Sequence, residues 1–391
     1  MKSCGVIVEY NPFHNGHRYH LKQARLQSQA DVIICAMSGN FLQRGEAAII
    51  DKWQRANSAL QNGADIVLEL PFEWAVQSAD YFAQGGVNML AAIGCECLCF
   101  GTDSHEKIDY QHLGQFLHQN RQQLDRLFHQ TADEKLSYAE NMIRVFQALE
   151  MDIPFDHKQP NHILGLSYAK ANSQLTKPME LLAIERKNSG YHDKAFTSET
   201  IASATAIRRG IFRGEEISSY VPSSSLVHLT EQKVSLEDFF PYLKFRLLTM
   251  DLAELQQIYQ MEEGLAVRMK KCIANCETYE SFVNQLKSKR YSQTRIQRLL
   301  LYCLLNVREA EIKKSWQNPS FRVLGFTENG QKYLNKVKKQ LPYPLITRVG
   351  KLEAARLSLT IRADEVYRLA NSQIQEQNFR TMIKISKDGY N

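Results

Sequence analysis

No stretch of this 391-residue sequence approaches the roughly 20 consecutive apolar residues that a membrane span requires, and its first residues carry no basic-then-apolar leader. A protein of the cytoplasm, not of a bilayer, is expected. No Cys-x-x-Cys pair occurs among the eight cysteines, and without a leader their thiols are expected to stay reduced. Cys95, Cys97 and Cys99 alternate, so a strand would turn all three to one face, which gives core thiols rather than tetrahedral metal ligation. Cys272 and Cys276, four apart on a helical pattern, read as packing too. There is no internal repeat and no low-complexity tract, which excludes solenoid and disordered classes.

What is present is an ordinary globular composition, 44% hydrophobic and 23% charged, in a chain too long for one small core. The formal charge of +6 is unevenly spread. Residues 1–220 carry 21 basic against 25 acidic side chains, and residues 221–391 carry 27 against 17. A basic second half fits a polyanionic partner such as RNA, although a solvated Lys-rich surface gives the same composition.

Short apolar runs at Val6–Val8, Val32–Ala36, Ile66–Leu70 and Leu98–Phe100 read as strands. Helical patterns near 17–28, 51–62, 78–93 and 109–128 alternate with them. A further strand, Glu180–Ile184, precedes Arg186 and Lys187. This rhythm predicts an α/β class with a doubly wound parallel sheet of Rossmann type. From Leu236 the pattern is helical, with Leu345–Val349 the one strand candidate, so a mostly α-helical domain is expected to follow. The Ser-rich, Pro-containing segment Ser218–His228 is the linker candidate, dividing the chain into 1–220 and 221–391.

The most informative stretch is GVIVEYNPFHNGHRYH, Gly5 to His20. A β-branched run is stopped at Asn11-Pro12, and a helical pattern begins near Tyr19, so His14 and His17 fall in the turn and first helical positions. Unpaired N–H groups at a helix start favour phosphate. SATAIR, Ser203 to Arg208, has the form of a second capped helix start, with Ser203 and Thr205 able to hydrogen-bond phosphate and Arg208 one turn on. In the basic half Lys287, Lys289, Arg290, Arg295 and Arg298 cluster with Tyr291 and Tyr302, the mixture that single-stranded RNA recognition uses. An amphipathic helix with a basic polar face is the plainer alternative. Lys313, Lys314, Lys332, Lys336, Lys338 and Lys339 prolong the positive run.

Together with MSGNFLQRGE (Met37–Glu46), GADIVLELP (Gly63–Pro71) and RYSQTRIQRLLLYCLLN, the two phosphate elements resemble those of the bacterial tRNA-Met cytidine acetate ligase family. That family lies within the nucleotidyltransferase superfamily with a His-x-Gly-His motif. The resemblance implies catalytic roles for His14, His17, Ser203, Thr205 and Arg208. It implies ATP contacts at Ile7, Val8, Glu9, Tyr10, Asn11, Pro12, Phe13, His14, Asn15, Gly16, His17, Arg18, Tyr19 and His20, and at Gly101, Asn161 and Arg186. It implies that 1–220 activates acetate with ATP as acetyl-adenylate, and that 221–391 binds elongator tRNA-Met, whose wobble cytidine is acetylated. Acetate is ionised at neutral pH, so the first step needs alignment and charge neutralisation rather than a general base. That agrees with a motif set of His, Arg and hydroxyls without a carboxylate dyad. Mg2+ is expected to accompany ATP, held mainly by phosphate, with no protein metal ligands assigned. Two rival readings stay open: a small-molecule adenylyltransferase of the pantetheine-phosphate or nicotinate type, and a non-catalytic RNA-binding protein on a nucleotide fold.

Overall fold

The structure is a computed structural model that describes the chain except residues 105–107, 134–137, 150–159, 187–199, 230, 232, 387–388 and 391, with backbone alone at 138, 139, 160, 389 and 390. The strands are β1 (Ser3–Val8), β2 (Val32–Ser38), β3 (Ile66–Leu70), β4 (Cys97–Thr102), β5 (Glu180–Glu185), β6 (Phe321–Thr327), β7 (Leu345–Ile346), β8 (Ile383–Ser386) and β9 (Gly389–Tyr390). They form one sheet in the order β5-β4-β1-β2-β3-β6-β8-β9, with β7 also paired to β6. The first five are mutually parallel, with register Gly5↔Ile34 and Gly5↔Leu98 fixing β1 at the centre. Strands β1 to β4 are buried on both faces, which is why their sequences are continuous apolar runs and not alternating ones, while β5 at the edge is only partly buried. The chain leaves β1 toward β2 on one side and β4 on the other, so a crevice opens beyond the carboxyl ends of β1 and β4.

Helix α1 (Asn15–Ser28) follows β1, and α2 (Lys52–Gln61) follows β2 with Asp51 capping the Trp53 and Gln54 N–H groups. The helical pattern read over 109–128 divides at Asn120 into Tyr110–Gln119 and Arg121–Thr131.

The second half is mostly helical, yet it also completes the sheet, contrary to the expectation that no comparable strand series follows residue 236. Strand β6 runs antiparallel to β3, and Arg322 at its start joins a fully buried charge network. Lys52 Nζ lies 2.6 Å from Glu69 Oε1 and 2.5 Å from Asp364 Oδ2, while Arg322 Nη1 lies 3.1 Å from Glu69 Oε2. Two cations and two carboxylates thus balance inside the protein. A strand opening on Phe-Arg, with its Arg buried by partners remote in sequence, gives no alternating apolar signal.

The Ser218–His228 segment also differs from a free linker. It holds most of the Ser223–Leu229 helix, and Val221 just before that helix and Leu229 at its end are buried with Ile49, Ile50 and Ile207. Apolar residues spaced between serines supply that anchorage. A large helical core unites Phe41 and Ala47 of the loop after β2 with Leu243, Phe282, Leu299 and Tyr302. All eight cysteines are free, as expected, and seven are buried.

Candidate active site

His14 is the N-cap of α1. Its backbone is extended, and its Nδ1 accepts the Gly16 N–H at 3.0 Å. His17, one turn on, returns the arrangement: its Nδ1 accepts the His14 N–H at 3.3 Å. The two bonds assign the proton of each neutral imidazole to Nε2. The rings stack with centroids 3.7 Å apart at 27°. Position 16 must be glycine for this to hold, because a Cβ there would lie 2.8 Å from His14 Cε1.

Burial, and then the Arg186 and Arg208 guanidinium groups, push the His14 imidazole down to about 3. His17 is held well below the ordinary histidine range by burial, His14 and Arg186, against a small opposing pull from the Pro12 carbonyl. His20, whose Nε2 is 3.6 Å from Cys99 Sγ, is lowered to about 4 by burial and Arg186. All three are neutral near pH 7, so the positive charge of the site resides on its arginines, with Arg186 and Arg208 beside the histidines. The histidines present N–H dipoles.

Ser203 caps the Ala204–Arg213 helix by accepting the Ala206 N–H at 3.0 Å, as SATAIR predicted. Arg208, one turn on, donates to the Asn11 carbonyl at 2.8 Å and pairs with Glu46 at 3.3 Å. Asn15 ties this wall to α1, its amide donating to the Thr200 and Ser219 carbonyls at 2.9 Å each. Thus two helix N-termini border one cavity. Beyond β4, Asp103 accepts from the Asn161 side chain at 2.9 Å and lies 3.5 Å from Arg186 Nε.

The cavity has a volume of about 250 Å³. His14, His17, His20, Gly101, Asn161, Arg186, Ser203, Thr205 and Arg208 all border it, with Ile7 through Asn11, Gly16 and Tyr19. Pro12, Phe13, Asn15 and Arg18 stand outside its wall: Phe13 is buried beneath Tyr10, and Arg18 is exposed. Lys187 lies outside the described residues. Sequence reasoning assigned no site role to Gln43, Arg44 and Glu46, which border the cavity from the loop after β2, nor to Asp103. The Arg-Gly-Glu triplet in a loop that follows a parallel strand was the available signal. Glu9, at the end of β1, is shifted upward by burial while the Gln43 N–H, 2.7 Å from its Oε1, opposes the shift.

The basic cluster divides in space, and Tyr302, expected to be able to stack a base, is instead buried in the helical core with its hydroxyl donating to the Val76 carbonyl. Lys287 and Lys289 are exposed. Arg290 and Arg295 both pair with Glu262, which also accepts from the Tyr291 hydroxyl at 2.7 Å, and both guanidinium groups lie over the Tyr291 ring. Arg298 is 9% exposed and points to the loop after β2, donating to the Gln43 carbonyl at 3.3 Å.

Residues 1–381 match the HIGH Nucleotidyl Transferase family. The chain is 43% identical to the tRNA(Met) cytidine acetate ligase of Latilactobacillus sakei subsp. sakei over 94% of its own length and 93% of that protein. It is 41% identical to the Lactobacillus gasseri protein of the same name, covering 97% and 98%. Among solved structures, apo Thermotoga maritima TmcAL superposes with a TM-score of 0.90 at 30% identity, covering 99% of this chain and all of that one. The same protein bound with alpha-thio ATP gives 0.87 at 29%, with equal coverage.

Proposed function

The chain belongs to the HIGH nucleotidyltransferase family, and from that premise we propose that it is an ATP-dependent ligase that acetylates the wobble cytidine of elongator tRNA-Met. The observation that carries this reading is the cavity beyond β1 and β4. There two helix N-termini, the neutral His14 and His17, and the guanidinium groups of Arg186 and Arg208 converge, while the wall carboxylate Glu46 is engaged by Arg208. An acetate oxygen attacks the α-phosphorus of ATP, the bond to the β-phosphate bridging oxygen breaks, and pyrophosphate leaves. The cytidine N4 amine then attacks the acetyl carbon of the mixed anhydride, loses a proton, and releases AMP.

We assign His14 and His17 to the α-phosphate as Nε2–H donors, whose dipoles gain strength as charge builds on the pentavalent phosphorus. Ser203 and Thr205 sit at the start of their helix, where phosphate oxygens find unpaired N–H groups. Arg208 and Arg186 supply the compensating charge, and Arg208 follows the departing pyrophosphate. Asn161, held by Asp103, and Gly101 receive the nucleoside. Residues 1–220 form the activating unit and 221–391 the RNA-binding unit, apart from the sheet strands the latter contributes. The cytoplasm is the proposed compartment, in keeping with the reduced thiols; no described helix is long and apolar enough to cross a membrane. Magnesium would ride on the phosphates. Glu46 is engaged by Arg208, and among the described residues no group of three His, Cys, Asp or Glu side chains could hold a metal.

Incubation with ATP, labelled acetate and bulk tRNA tests the proposal. Acetate-dependent pyrophosphate release, with label on one cytidine, is the expected result. Release with a small-molecule acceptor and no label on RNA would establish the adenylyltransferase reading instead. Neither product would leave an RNA-binding protein.

A further inference from the structure

Among the described residues Arg298 is a buried cation with no carboxylate partner. It is 9% exposed, and its one hydrogen bond among the described residues is from Nη1 to the Gln43 carbonyl at 3.3 Å. Its Nε is buried and unpartnered, and no ion pair reaches it among the described residues. This sets it apart from its neighbours Arg290 and Arg295, which share the Glu262 carboxylate. The charged groups that act on it, Arg44 on the loop after β2 and Arg295 on its own helix, are cations and supply no counter-charge. A guanidinium withdrawn from water without a counter-charge costs free energy unless an anion completes it.

Its position says which anion. Gly45, between Arg44 and Glu46 of the cavity wall, has φ +76°, and a Cβ there would collide with the Arg298 backbone nitrogen and lie 2.6 Å from Gln297 C. The cavity loop is therefore pressed backbone to backbone onto the Gln293–Leu305 helix, whose N-terminal end leads back to the exposed Lys287 and Lys289. Arg298 itself does not border the nucleotide cavity, while Arg44 does. We propose that Arg298, with Arg44, forms a phosphate-receiving site at the seam between the two halves, and that its occupant is an RNA phosphodiester flanking the cytidine presented to the adenylate. The site would set the depth at which the nucleoside enters. It rests on the RNA-acetylating reading above.

Two sources of phosphate are separable, the RNA backbone and the nucleotide's own phosphates. The probes are an anticodon stem-loop RNA with natural linkages and one with uncharged methylphosphonates on either side of the target cytidine, tested on the full-length enzyme and on Arg298→Gln. If the proposal holds, neutral linkages weaken wild-type binding about ten-fold or more, yet cause little further loss in R298Q. The salt slope of R298Q binding should fall by about one. Acetyl transfer in R298Q should drop at least ten-fold further than acetate-dependent pyrophosphate release, with Arg298→Lys recovering part of the difference. Equal loss of both activities with an unchanged slope would make Arg298 a support for the loop and overturn the proposal. A raised KM for ATP with RNA affinity intact would assign the site to the nucleotide and overturn it as well. If wild-type enzyme acetylates no RNA, the ligase reading itself fails, an outcome distinct from both.

Discussion

His14 Nδ1 accepts the Gly16 N–H and His17 Nδ1 accepts the His14 N–H, so a pair of stacked rings both caps α1 and fixes its own tautomers. The residues offered to phosphate are thus held by the helix start they help to build. Substitutions here separate capping from chemistry. His14→Ala removes both, at about 1 kcal/mol of stability for the cap and roughly 10²- to 10³-fold in acetate-dependent pyrophosphate release. His14→Asn keeps a cap acceptor and should recover melting temperature without recovering rate. An Asn variant as fast as wild type would show that His14 contributes only the cap.

Acid should destabilise the protein early. A histidine buried neutral binds fewer protons folded than unfolded, so its contribution is complete above its unfolded value near 6.5 and is lost as pH falls toward its folded value. With His14 lowered to about 3, moving from pH 7 to pH 5 costs about 2 kcal/mol from this group. His17 and His20 shift in the same direction. Melting temperature measured across pH 5–8 should fall on the acid side, and the fall should be shallower in His14→Asn.

Asp103 touches both Asn161 and Arg186, and the proposed nucleoside contacts depend on it. Asp103→Ala should raise the KM for ATP about ten-fold, since two groups then search for their orientation, while leaving the affinity for tRNA near wild type. Titration of ATP and of tRNA on the same preparation checks this. Loss of both would indicate a folding defect.

Breaking the buried charge network should be costly. Lys52→Met leaves Glu69 and Asp364 with Arg322 as their only ion-pair partner among the described residues, and removing one member of a buried pair typically costs about 3–5 kcal/mol. Because the network joins α2 and β3 to β6 and the Ser358–Arg368 helix, unfolding should remain a single transition at lower denaturant. Two separated transitions would mean that the halves unfold independently.

The exposed lysines offer a simpler measurement. Lys287→Glu with Lys289→Glu should weaken tRNA binding and lower its salt slope by about one for each phosphate no longer neutralised. Pyrophosphate release without tRNA should persist. An unchanged affinity would place the RNA elsewhere.

The five parallel strands were legible from the residues alone, because the inner four, buried on both faces, must be apolar runs set between amphipathic helices, and the partly buried edge strand β5 carries the same kind of run. So were the two helix starts, His14-Asn15-Gly16-His17 and Ser203-Ala204-Thr205, because capping is local chemistry written in adjacent residues. Whatever depends on long-range partners became visible only in the folded chain. Strand β6 is recognisable only once Arg322 has met Glu69 and Asp364, 253 and 42 residues away in sequence. The histidines are neutral because burial and two distant arginines make them so, which no motif records. Arg290, Arg295 and Arg298 look alike in RYSQTRIQR, yet the first two found Glu262 and the third lies inside with no carboxylate among the described residues. Charge type is a property of the residue, whereas its burial and its counter-charge belong to the fold.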